Sequence, residues 1–220
     1  MVRDNRLTEE AYAWQEFGLA DRRVIDAIYA MDSMLELETN LGRPVHLPYF
    51  YYMDAVLHYG NQRRRKMLGP VIEEGVECQS QIVRSKLEQL ERSPRRVEAV
   101  MALRRMRDAS AAARESLEGE LAKASRGREE LQLFRDFAWF RELAARRMLF
   151  LAGATNEARE LIQRDHQLVS SALEESLSYC MRPREKALFL RFLFAGEMEL
   201  LNDQATIGQA KKDLSKAALA

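Results

Sequence analysis

The stretch Leu131–Ala152, LQLFRDFAWFRELAARRMLFLA, constrains the fold more than any other part of the chain. Leu133, Phe137, Phe140, Ala144, Met148 and Leu151 follow one another three or four residues apart, which stacks them along one face of a 3.6-residue helix. Leu131, Phe134, Ala138, Ala145 and Leu149 widen the stripe and leave Arg135, Glu142 and Arg146 on the opposite side. A helix this broadly apolar needs neighbours on more than one side, so the stretch predicts the central helix of a bundle.

Helix punctuation divides the rest of the chain. Thr8 is a candidate N-cap, with Glu9 and Glu10 in the positive first turn, and an apolar seam through Phe17, Val24, Ile28, Met31 and Leu35 carries this helix to about Leu37, with Gly18 as a bend. Pro48 opens a second helix that closes at Gly69, Pro70 a third, and Ser93-Pro94 a fourth over roughly Arg95 to Ala124. The middle of that fourth helix, DASAAARES, either packs closely through small side chains or runs along solvent. Ser125-Arg126-Gly127 and Gly153 bracket the central helix. Thr155 or Asn156 can cap a sixth helix holding Leu161, Leu168, Val169, Ala172, Leu173 and Leu177, and Pro183 opens a seventh. No stretch alternates with a two-residue period between β-turn signals. The fold class is therefore all-α: a multi-helix bundle of about seven helices arranged as antiparallel hairpins. One domain is expected over 1–204, followed by a polar, frayed tail over 205–220.

The chain has 220 residues, enough to bury a core without disulfides or metal. It carries 34 basic and 34 acidic residues, so it lacks the global charge of a protein that coats nucleic acid or anionic lipid. The basic excess is local, with 16 basic against 10 acidic groups over residues 61–128. Arginine outnumbers lysine 27 to 7, which suits bidentate pairing and equally reflects base composition. Cys78 and Cys180 have no metal-like spacing and point to free thiols in a reducing compartment. The first residues do not resemble a signal peptide, and no apolar run approaches the roughly 18 residues of a membrane span. An intracellular protein, cytoplasmic or in an organelle matrix, with no transmembrane segment is expected.

Catalytic constellations are sparse. A di-metal bundle places a carboxylate three residues before a histidine, but the corresponding positions before His46, His58 and His166 are Arg43, Ala55 and Gln163. Asp54 and His58 share a helix face and could give two ligands, although a local hydrogen bond explains them as well. Phosphate-binding, dinucleotide, nucleophile-elbow and HExxH motifs are missing. No catalytic residue, metal or cofactor is assigned, and an enzyme is not expected.

Two segments carry surplus apolar or aromatic surface. Tyr49, Phe50, Tyr51 and Tyr52 cover most of a helix circumference and precede Arg63, Arg64, Arg65 and Lys66 on the same predicted helix. One core cannot bury all four rings, and Tyr and Arg are common interface anchors. In the other segment, Phe189 and Phe192 belong to a helix that is apolar at nearly every azimuth save Arg191, which fits a bundle centre or a subunit interface. The Arg pairs at 95–96, 104–105 and 146–147 read as solvated salt-bridge faces, and Trp14 and Trp139 as core. The resulting expectation is a non-catalytic interaction or structural subunit of a larger assembly, binding other protein subunits or a second copy of itself. One alternative is an RNA-associated protein that uses the Tyr/Arg-rich helix. The other is a helical enzyme or carrier with a buried ligand or metal pocket near Asp54 and His58.

Overall fold

The computed structural model of the protein describes residues 5–19, 22–27, 30, 87–88, 91–92, 94–184, 186–187, 190 and 194. Four helices are delimited at both ends: α1 (Asn5–Phe17), α2 (Arg96–Leu121), α3 (Arg128–Leu151) and α4 (Arg159–Leu177). A further helical run occupies residues 23–27, and helical residues resume at Pro183. The chain is thus helical, with no strand among the described residues. Five helical runs of at least a turn, rather than about seven, lie within them, because the helices predicted from Pro48 and Pro70 fall mostly outside.

The long helices form antiparallel hairpins on α3. Buried positions of α2 are Ala99, Leu103, Met106, Ser110, Ala113, Leu117 and Glu120, at alternating intervals of four and three. That 3.5-residue repeat keeps one seam against a neighbouring helix, as in a coiled coil. Ser110 and Ala113 supply the small side chains of the DASAAARES segment, so this region packs closely instead of facing solvent. Antiparallel register is visible in the polar contacts: Arg96 at the start of α2 donates to the Ala152 carbonyl after α3 (3.0 Å), and Arg114 meets Glu142 (2.9 Å). On its other side α3 packs against α4.

Arginines donate to carbonyls at or just beyond the helix ends, one of which, that of Trp14, also accepts from the Gly18 amide. Arg128 Nη1 donates to the Leu121 and Ala124 carbonyls at the end of α2, and Arg104 donates to the Ala154 carbonyl beyond α3. Arg126 donates to the Trp14 carbonyl in the last turn of α1 (2.6 Å). A cation there also opposes the negative end of the helix dipole.

Several predicted boundaries shift. α1 begins at Asn5, so Thr8 is an interior residue and not the N-cap. Gly18 ends α1 outright at φ +68°, where bending alone was expected, and the Ser125 amide then bonds the Phe17 carbonyl. Thr155 does not cap α4 either; its hydroxyl accepts from the Glu157 amide inside the loop, and Ala158 precedes the helix without a side-chain cap. Trp14 is 59 % exposed and is not core, since Ala13 and Phe17 take the buried face. Trp139 is half-buried, with the Arg114 guanidinium 5.8 Å from its ring centroid. Among the described residues no helix is long and apolar enough to cross a membrane.

The glycines at 119 and 127 make a matched pair. Gly127, at φ +58° ahead of α3, has no room for a side chain, because a Cβ there would sit 2.7 Å from a Phe17 ring carbon and 2.8 Å from the Glu16 carbonyl oxygen. Gly119 lies within α2, and a Cβ would meet nothing within 4 Å. Gly127→Ala should therefore lower stability by more than about 1 kcal/mol, whereas Gly119→Ala should raise it by about 0.5–1 kcal/mol. Denaturant midpoints with opposite displacements check this.

Candidate functional site

The striped face of α3 is buried as expected, but the remainder of the helix is covered as well. No residue from 131 to 152 is exposed. Asp136, Phe140, Leu143 and Arg147 lie at intervals of four, three and four, and all are buried. This second face is apolar in its middle and charged at both ends. Together with side chains of α4 it forms a polar seam that holds shifted ionisable groups at Asp136 and His166; Tyr12, Glu130 and Tyr179, all pushed up by burial and by neighbouring carboxylates, make a second such group near the start of α3.

At the first end, burial pushes the Asp136 carboxyl above its usual range, while the Arg135 guanidinium beside it and the Ser176 hydroxyl pull the other way. Ser176 is itself a buried residue of α4. At the other end, the Arg147 guanidinium carbon lies 5.6 Å from the ring centroids of both Phe140 and Phe194. Phe194 meets Phe140 and His166 edge-on, at 5.3 and 4.6 Å. The negative faces of the two rings favour the cation. Burial, with Arg147 second, pushes the His166 imidazole down to about 4, so it stays neutral beside a fixed positive charge.

Arg146, one residue further, turns to the rim of the same interface. It donates to Asp165 of α4 (2.7 Å) and to Glu157 of the preceding loop, with Glu142 at 4.0 Å. Glu142 in turn accepts from Arg114 of α2. Burial would push the Arg146 guanidinium down, but its hydrogen bonds to Glu157 and Asp165 outweigh that and hold it above its ordinary value. The pair at 146–147 is therefore not a solvated face: one member is fully buried and the other is 13 % exposed.

The seam separates its acid from its base. Asp136 meets Ser176, ten residues along α4 from His166 and so about 15 Å away at 1.5 Å per residue. These groups cannot act on one substrate atom, and their geometry instead ties α3 to α4 in a single register. No group of three or more His, Cys, Asp or Glu side chains that could hold a metal occurs among the described residues. Cys180 is a buried thiol just past α4.

The residues singled out from the sequence as partner-binding, Tyr49, Tyr51, Tyr52, Arg63, Arg64, Arg65, Lys66, Phe189 and Phe192, lie outside the described residues, as do Asp54, His58 and Cys78. Beside Phe189 and Phe192, Leu190 is half-buried and Phe194 buried. Sequence reasoning missed Asp136, Arg147 and His166 as a group. The available signal was phase, since Asp136 and Arg147 stand at intervals of four, three and four with Phe140 and Leu143 between them.

Two measurements probe the seam. His166 takes up its proton near 6.5 when unfolded and near 4 when folded, so its contribution to stability is complete above pH 6.5 and is lost as pH falls from 6.5 towards 4. Its partial exposure limits the loss to about 1–2 kcal/mol, and His166→Leu should flatten that part of the stability–pH curve; Asp136, which acts in the opposite sense, cancels between the two proteins. Arg146→Met should cost about 3 kcal/mol by urea unfolding, against less than about 1 kcal/mol for Arg114→Met, whose side chain is more exposed. Compared with known proteins, the chain matches no family model, no curated protein and no solved structure.

Proposed function

We propose that the protein is a non-catalytic helical interaction or structural subunit of a larger assembly, its helices paired as antiparallel hairpins. The observation that carries this reading is the apolar surface on helices already anchored to a core. On α2, Val97 is 72 % exposed and Met101, one turn on, is 47 % exposed, while Ala99 and Leu103 between and beyond them are buried. Large apolar side chains displayed next to one another on a rigid helix are typical of surfaces that another chain covers. The ion pairs of Arg146 with Asp165 and of Arg114 with Glu142 support the same reading, because they join α3 to α4 and to α2 and hold a scaffold in register.

The test uses the intact chain in its native source. Replacing Val97 and Met101 with Glu should deplete the proteins that co-purify with it while leaving its melting temperature unchanged. A wild-type chain that co-purifies with no other protein and elutes as a monodisperse monomer overturns the proposal.

A further inference from the structure

The sixth predicted helix groups Leu161 and Leu168 with Val169, Ala172, Leu173 and Leu177 as its apolar residues, and α4 buries Val169, Leu173 and Leu177 of that set but not the first two. Ile162, Val169, Leu173, Ser176 and Leu177 are buried, leaving Leu161 43 % and Leu168 50 % exposed. Seven residues apart, these two leucines share one azimuth. Arg164 lies between them, and the same outward face continues through Ser171 and Glu175 to the exposed Tyr179 in the turn that follows the helix. The charged residues on this azimuth are Arg164 in its first half and Glu175 in its second; Glu174 lies about 100° round the helix, beside Lys186, and the exposed Glu160 precedes Leu161.

We propose that this face of α4 is a homodimer interface, occupied by α4 of a second copy running antiparallel to it. This rests on reading the protein as an interaction subunit and names one partner for it. The distribution of residues is self-complementary about a two-fold axis passing between Leu168 and Ala172. Turned end for end about that axis, Leu161 meets the second copy's Tyr179, Leu168 meets its Ala172, and Arg164 meets its Glu175, with every contact made twice. A parallel arrangement would set arginine against arginine and glutamate against glutamate. Arg164 is available for such a pair: its side chain is 65 % exposed and, among the described residues, pairs with its neighbour Asp165, which is already held by Arg146. Glu175 is exposed and has no ion-pair partner among the described residues. Alternating apolar and charge-paired layers are the arrangement by which antiparallel helix pairs fix both orientation and partner.

Charge exchange on the full-length protein tests this, with sedimentation equilibrium as the readout and circular dichroism as a check on folding. The wild type should dimerise at micromolar concentration. Arg164→Glu and Glu175→Arg should each weaken the dimer about tenfold or more, because each brings like charges together twice, and the double variant should restore it. Leu168→Arg should abolish it. A wild type that stays monomeric throughout the micromolar range overturns the dimer, as does a dimer indifferent to these changes or not restored in the double variant. Either result leaves the α2 surface and its co-purifying partners to be judged separately.

Discussion

Enclosure of α3 is the constraint on which the rest of the structure depends. Over the 22 residues from 131 to 152 nothing is exposed, yet this span contains Asp136, Arg141 and Arg147 as buried charges. Each charge removed from water carries a desolvation cost that only well-placed partners offset. Asp136 finds Arg135 and Ser176, and Arg147 finds the faces of Phe140 and Phe194. An apolar stripe would tolerate sliding by a helical turn with modest loss; a shift of α4 along α3 would in addition part Asp136 from Ser176 and Arg146 from Asp165. Apolar burial supplies the bulk of the stabilisation, and the charged groups select one register from several that the leucines alone would permit.

Legibility in the sequence followed the kind of signal involved. The central helix and the breaks at Gly127 and Gly153 were readable because apolar period and glycine act locally, and both glycines adopt positive φ. α4 shows where periodicity runs out. Leu161 and Leu168 define one heptad phase and Ile162 and Val169 another, and over two heptads the two look alike. The third heptad discriminates, because the first phase leads to Glu175 and the second to Ser176, the smaller and more easily buried group. Trp14 was misplaced for a related reason, lying one residue and about 100° from the Ala13 azimuth that enters the core. Arg147 was illegible by residue type, because pattern reading sends arginine to solvent unless its ring partners, one of them Phe194 on a distant segment, are known.

The excess of arginine over lysine acquires a structural use. Arg96, Arg104, Arg126 and Arg128 each reach a backbone carbonyl at or just beyond a helix end. These contacts close the loops at both ends of the hairpins, where Gly127 and Gly153 leave no side chain to cap the turn. The guanidinium suits the task because its several fixed donors can engage two carbonyls at once, as Arg128 does, while its aliphatic stem stays packed.

The ion-pair chain Asp165–Arg146–Glu142–Arg114 crosses α3 from α4 to α2. Because Arg146 also engages the loop before α4, loosening that loop withdraws a partner from the middle of the molecule and leaves neighbouring carboxylates poorly compensated. Opening at one helix is thereby felt at the two others. The stability of α2, α3 and α4 is linked through one chain of charges, so that local opening of one helix weakens the anchorage of the other two.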